Sequence, residues 1–299
     1  MITKNIKTAN DLVTSHKATV EGFLTQAIAK TTKAVPFVEE GHKFWLALQT
    51  VKDVDTLDTL LDNPKYRNGL IAAAGLSQKA TNHLSKDEID DAVKKVFLSV
   101  GERSGETFRE EILYRYLLTA GDALGGQMRN YIGAEAGYKF TRAILSAMPE
   151  DESLRSITES KTGKIQRIEW KNRLLWFDVK PKLIGNNVDA ILFDTANCSD
   201  IKQLVTEPGR YVACGELKGG IDPAGADEHW KTARTALQRI RSIFQSQKQS
   251  PKLFFIGAAI EAKMAEQIFF DLKNGELTFA ANLTKTEQVT DLAKWLVAL

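Results

Sequence analysis

Glu216 and Lys218 stand two residues apart in "GELKGGIDPAG" (residues 215–225), followed by a glycine pair and an Asp-Pro turn. An acid and an ammonium can act together at that spacing only if the backbone sends both to one side. A β-strand does this, because residues i and i+2 share a face; on a helix they diverge. The acid-x-Lys triplet recurs at Glu159, Glu169, Asp178, Asp200, Glu261 and Asp271, so context must choose. Glu261 and Asp271 fall in an expected helix, Glu159 and Asp200 in polar, loop-like stretches. Asp178 is the rival, since Glu169 could partner it across a hairpin. Glu216 has both an acid ahead of it, Asp189 near the start of the expected strand "VDAILFD", and a helix behind it.

If those two strands are neighbours, Asp189 and Glu216 converge on one divalent ion. Two carboxylates, with waters and a phosphate oxygen as the other ligands, suit Mg²⁺. Such an ion polarises a scissile phosphate and lowers the pKa of a bound water. Lys218 would offset the developing negative charge. This is the logic of the PD-(D/E)xK nuclease core. The same residues can also close as a strand-end ion pair, and spacing alone leaves both readings open. The loop lacks the G-x-x-x-x-G-K-[ST] spacing of a phosphate-binding loop. Cys214 shares the face of Glu216 and reads as a small core residue rather than a nucleophile.

His229 falls in the first turns of the helix after the glycines. The positive end of a helix favours the neutral imidazole, a proton acceptor, although a structural histidine fits the same place. On that helix Trp230, Ala233, Leu237, Ile240 and Phe244 make an apolar face. Lys231, Arg234, Gln238 and Arg241 make a polar, mostly basic one, either a solvated surface or a stripe that touches phosphates.

The elements that must position these groups follow from periodicity. Residues 10 to about 120 read as helices. "NDLVTSHKATVEGFLTQAIAK" places Leu12, Val20, Phe23, Leu24, Ala27 and Ile28 near one helical face. Ser85 and Glu88 have capping-box spacing, as do Thr284 and Glu287 before the last helix. The glycines of "GDALGGQMRN" read as a break between two helices. Beyond residue 150 "DESLRSITESKTGK" is polar and turn-rich, and "IQRIEW" and "RLLWFDV" alternate as a hairpin. "VDAILFD" and "YVACGELK" are further strands. A helix over about 226–245 and the strand "LFFIGAAI" complete a parallel crossover. A helix stopped by Gly275 and an amphipathic C-terminal helix follow. The expected fold is therefore α/β, of the mixed α+β kind: a mixed central sheet flanked by helices, preceded by an N-terminal helical domain. The domains fall at 1–120 and 121–299.

The 299 residues, 43% hydrophobic and 26% charged, suit a soluble globular chain with a sizeable core. With a net charge of +2, any basic nucleic-acid surface must be local. Two cysteines, Cys198 and Cys214, make neither a zinc site nor a disulfide framework and fit a reducing cytoplasm. There is no apolar run of membrane-spanning length and no signal-peptide pattern at the start, so no membrane partner is expected.

The stretch "GELKGGIDPAGADEHWKTARTAL", with "FIGAAIE", "MAEQI" and "NLTKTEQV" downstream and "YRYLLTAGDALGGQMRN" upstream, resembles the AvaI/BsoBI family of type II restriction endonucleases. The similarity runs nearly end to end. It implies a homodimer that encircles double-stranded DNA, with a helical DNA-embracing region and a PD-(D/E)xK catalytic core. It places the metal-binding acids on Asp189 and Glu216, the catalytic lysine on Lys218 and a general-base histidine on His229. The carbonyl of Leu217 would complete the metal shell. Lys79 and Asp222 would contact bases, a lysine donating to guanine and an aspartate accepting from cytosine. Lys231, Arg234, Arg129 and Asn130 join them as candidate DNA-binding residues. The family reads palindromes of the CYCGRG type, as a two-fold dimer should, and leaves 5′ overhangs. A DNA methyltransferase acting on the same site would protect the host. The segment between "AILSAM" and "NNVDAILF" is shorter than in the family, so no contacts carry over there. Two other readings keep the same residues: a structure-selective or repair nuclease, and a non-catalytic DNA-binding protein with a degenerate core.

Overall fold

The computed structural model describes residues 4–149, 154–160, 163–198 and 200–299. By contacts the chain forms two compact units, Met1–Leu24 with Tyr131–Leu299, and Thr25–Asn130. Its helices, in order, begin with α1 (His16–Leu48), α2 (Asp58–Leu61), α3 (Pro64–Ala73), α4 (Gln78–Thr81), α5 (Lys86–Ser104) and α6 (Phe108–Ala147). Strands β1 (Leu154–Glu159), β2 (Ile165–Trp170), β3 (Arg173–Val179) and β4 (Val188–Asp194) follow, then α7 (Ile201–Thr206) and β5 (Tyr211–Lys218). The chain ends with α8 (Ala226–Ser246), β6 (Lys252–Gly257), α9 (Ala262–Lys273), β7 (Phe279–Asn282) and α10 (Thr286–Ala298).

The strands form one seven-stranded sheet in chain order. β1 to β5 run antiparallel as a meander, and β5, β6 and β7 are parallel. Parallel neighbours need crossovers, and α8 and α9 supply them. One side of the sheet packs Ile191, Phe193, Cys214 and Phe255 with Trp230, Ala233 and Leu237 of α8 and Met264 and Ile268 of α9. The other side packs Ala190, Leu192, Ala213 and Phe254 with Phe140 of α6 and Leu292 of α10. The apolar face expected on α8 is buried at all five positions. The helical unit has its own core, with Phe44, Leu70, Val93 and Phe97 at its centre.

Several expectations change. Gly121, Gly125 and Gly126 do not break a helix: α6 runs through them for 40 residues. A helical glycine costs about 1 kcal/mol relative to alanine, and buried Ile112, Leu124, Met128, Phe140 and Ile144 along α6 outweigh that. The polar stretch before β2 contains a strand, β1, at the sheet edge, and the four-residue β7 closes the other edge. Leu12 is not on α1 but in a 3-10 turn buried against the sheet. Val20, Phe23, Leu24 and Ile28 do lie on α1, but exposed.

The Ser85–Glu88 capping box forms, with both bonds in place. The Thr284–Glu287 box does not. The buried amide of Asn282 accepts both the Thr284 hydroxyl, at 2.6 Å, and its backbone N–H, at 2.8 Å, and α10 begins beyond it.

Candidate active site

β4 and β5 are neighbours, pairing Ala190 with Gly215 and Ile191 with Cys214. Because they run antiparallel, Asp189 near the start of β4 and Glu216 near the end of β5 meet at one end of these two central strands. The backbone N–H of Leu217 donates to Asp189 Oδ2 at 2.7 Å, which fixes that carboxylate. Lys218 Nζ lies 3.0 Å from Glu216 Oε2 and 3.5 Å from Asp189 Oδ2. Three charged groups taken from two strands therefore converge on one point.

Glu216 is buried, 5% exposed, whereas Asp189 and Lys218 are partly open. Burial, and then the Asp189 carboxylate, push the Glu216 carboxyl up to about 7 against the opposing pull of Lys218. Burial opposes the charge on Lys218, but Asp189 and Glu216 outweigh it and hold the ammonium above its ordinary value. Burial raises the Cys214 thiol, with Glu216 adding to it, so Cys214 stays protonated, as expected of a core residue. The net charge of Asp189, Glu216 and Lys218, all ionised, is one negative. Two acids crowded beside a single ammonium fit a divalent cation: its charge would relieve the strain that raises Glu216, and hard carboxylate oxygens are its preferred donors.

The rival acid drops out. Glu169 lies opposite Leu174 in the hairpin register. Asp178 interrupts β3 with a φ of +51° and pairs with Lys164. It is exposed and takes no part in the Glu216 cluster.

Beyond β5 the chain is pinned. Ala258 N–H donates to the carbonyl of Lys218 at 2.9 Å and Ala259 N–H to that of Gly220 at 3.1 Å. Gly219 presses on α6, where a Cβ would sit 2.5 Å from the Ala136 Cβ and 2.9 Å from the Ile132 carbonyl oxygen. Asp222 caps the 3-10 turn Pro223–Gly225, accepting the Ala224 N–H at 3.0 Å, and its side chain is exposed. His229 is exposed on the first turn of α8, with its Nε2 edge towards Gly220 and Gly225. The glycines thus serve close approach to α6 and to an imidazole.

The basic face of α8 is largely committed to the protein. Arg234 makes a bidentate pair with Asp271 of α9, both bonds 2.9 Å, and Arg241 donates to the carbonyls of Gly275 and Glu276. Burial raises the Asp271 carboxyl, and Arg234 offsets part of this. Lys231 pairs with Asp227 on the exposed surface. In the helical unit Arg129 and Asn130 are exposed on α6. Lys79 lies in α4, and its side chain is outside the described residues.

Residue types alone did not reveal Thr14. Its hydroxyl donates to the Ala258 carbonyl at 2.7 Å and accepts the Ile260 N–H at 2.9 Å and the Asn282 amide at 2.8 Å. It therefore holds the segment that pins Lys218 and Gly220. Its only signal in the sequence is a Thr just before a helix.

Seven strands, antiparallel then parallel, with two acids and a lysine at the ends of the central pair β4 and β5, define a restriction-endonuclease-like fold. Comparison with known proteins agrees. The family model described as restriction endonuclease BsobI matches residues 2–164 and 148–299. The chain is 39% identical over 315 residues to the type II restriction enzyme AvaI of Nostoc sp., covering 99% of this chain and 98% of that one. It is 38% identical over 320 residues to the type II restriction enzyme BsoBI of Geobacillus stearothermophilus, covering 98% and 97%. The chain belongs to the BsobI restriction endonuclease family, and it is an enzyme of the nuclease class.

Proposed function

We propose that this chain is a Mg²⁺-dependent type II restriction endonuclease that cuts both strands of a palindromic, CYCGRG-like site and leaves 5′-phosphates on 5′ overhangs. The observation that carries this reading is the convergence of Asp189, Glu216 and Lys218 at the ends of the central strands β4 and β5. Asp189, Glu216 and the Leu217 carbonyl would hold the metal. When bound, a divalent ion supplies polarisation of the phosphate and acidifies a water. Lys218 faces the phosphate and stabilises charge on its oxygens. His229 takes the proton of the attacking water, the phosphorus is attacked in line, and the 3′ oxygen leaves.

Asp222 reads a base edge from the loop that carries the chemistry, with Lys79 as a second reader. Lys231, Arg129 and Asn130 contact the duplex. Arg234, held by Asp271, supports α8 rather than the DNA. The enzyme acts as a homodimer, as a palindrome requires, and exposed Val20, Leu24, Ile28, Val35 and Val38 along α1 offer apolar surface to a second copy. A methyltransferase of the same specificity protects the host, and the reaction belongs to the cytoplasm. Among the described residues no helix is long and apolar enough to cross a membrane.

Digestion of a plasmid of known sequence with Mg²⁺, followed by mapping of the ends, tests this. Discrete fragments with 5′ overhangs at one palindrome are expected. A smear, or intact DNA, would contradict the reading.

A further inference from the structure

We infer that Gly220 and Gly225 are positioning residues for His229: their missing side chains keep the Nε2 edge of its imidazole clear. This rests on the proposed role of His229 as proton acceptor. A Cβ at Gly220 would meet Nε2 first, at 3.3 Å, and Cδ2 next, at 3.6 Å. A Cβ at Gly225 would meet the same two atoms in the same order, at 3.5 and 3.6 Å. Apart from the glycine itself and its chain neighbours, no other heavy atom of the described residues lies within 4 Å of either added carbon. Two backbone positions five residues apart thus border one nitrogen, and each contributes only hydrogen there.

A water hydrogen-bonded to an imidazole nitrogen sits about 2.8–3.0 Å away. A methyl at 3.3 Å crowds that space, and the ring must give by a few tenths of an ångström. Neither glycine has a left-handed φ, so alanine is allowed by the backbone at both positions. The Gly220 carbonyl is held by Ala259, so its backbone cannot move aside cheaply and the imidazole is what yields. Gly219 is the contrast. Its added carbon strikes the Ile132 carbonyl and the Ala136 Cβ of α6, which are not free to rotate away. The glycine pair therefore divides its work: Gly219 seats the loop on α6, and Gly220 clears the base.

The test is a double-substitution cycle read by single-turnover cleavage of cognate DNA with Mg²⁺, with thermal melting and DNA affinity measured alongside. Gly220→Ala should melt like the parent, bind DNA equally and cut about tenfold more slowly, the scale for a small misplacement of a reacting group. Gly225→Ala, at ordinary contact distance, should slow cleavage less. In a His229→Ala background, Gly220→Ala should change the rate by less than about twofold, because the group it displaces is gone. Equal slowing in both backgrounds would overturn the inference. So would an unslowed Gly220→Ala, or one that fails to fold, since only a side-chain ring should have to move. If His229→Ala alone left the rate unchanged, the role of His229 would fail first, and the inference with it.

Discussion

The Leu217 N–H and Asp189 Oδ2 lie 2.7 Å apart, a bond from the backbone of one strand to the side chain of the next. It orients one acid by the strand that carries the other, so the two carboxylates cannot drift apart while β4 and β5 stay paired. Asp189→Asn keeps an oxygen to accept that bond but removes the charge. It should melt close to the parent and lose cleavage, with metal binding weakened. Calorimetric titration with Mg²⁺ and a cleavage assay check both halves.

In the proposed mechanism Lys218 acts through its charge, and its amine spans both acids. Lys218→Met should lower the single-turnover rate by about 10²- to 10³-fold, the usual loss for one charge-stabilising donor. It leaves Asp189 and Glu216 to repel each other, so the metal-free protein should also be less stable. His229→Ala should lower the rate by about 10²- to 10⁴-fold, as for a lost general base, without weakening metal binding.

The Glu216 carboxyl titrates near 7 in the fold against an ordinary value of 4.5. In the metal-free protein the folded state therefore binds the proton more tightly than the unfolded one. Stability from this group is therefore full below about pH 4.5 and is lost as pH rises through about 7, on the order of a few kcal/mol in all. Melting in EDTA should show that decline, Glu216→Gln should flatten it, and Mg²⁺ at pH 8 should restore the stability of the parent but not of the variant.

Arg234 and Asp271 bind α8 to α9 through two bonds, with the acid buried and a third of the arginine side chain exposed. Arg234→Ala would leave a buried carboxylate unpaired and should cost about 3 kcal/mol, the low end for a broken buried pair. Replacing both by leucine should recover most of that loss in a denaturation experiment. Thr14→Val strips the one hydroxyl that joins Ala258, Ile260 and Asn282 and should cost about 2–4 kcal/mol. The cleavage rate should fall too, as the Lys218–Gly220 backbone loosens.

The convergence of Asp189, Glu216 and Lys218 was the most legible part of the chain. Glu216, Lys218 and Asp189 could be placed because strand parity is strict and because one acid stood ahead on the preceding strand. The apolar face of α8 was equally clear, since Trp230 to Phe244 keep helical period. What failed was local propensity against tertiary packing. Gly121, Gly125 and Gly126 signal a break, yet the buried anchors on both sides of them carry α6 through. β1 and β7 were hidden for opposite reasons: one is a polar edge, and the other has four residues that acquire meaning only beside β6. Arg234 looked like a free cation because its partner, Asp271, is 37 residues away and comes from another helix. Asn282, which takes the Thr284 hydroxyl and so removes an apparent capping box, is a buried polar residue whose bonds to Leu12 and Thr14 come from the far end of the chain.

Glu216 carries the central claim, and one paired assay addresses it. Parent and Glu216→Gln are compared on cognate duplex with Mg²⁺, measuring binding by fluorescence anisotropy and cutting by gel. The variant should bind the duplex specifically and leave it uncut. Full cleavage by Glu216→Gln would contradict the assignment of the active site.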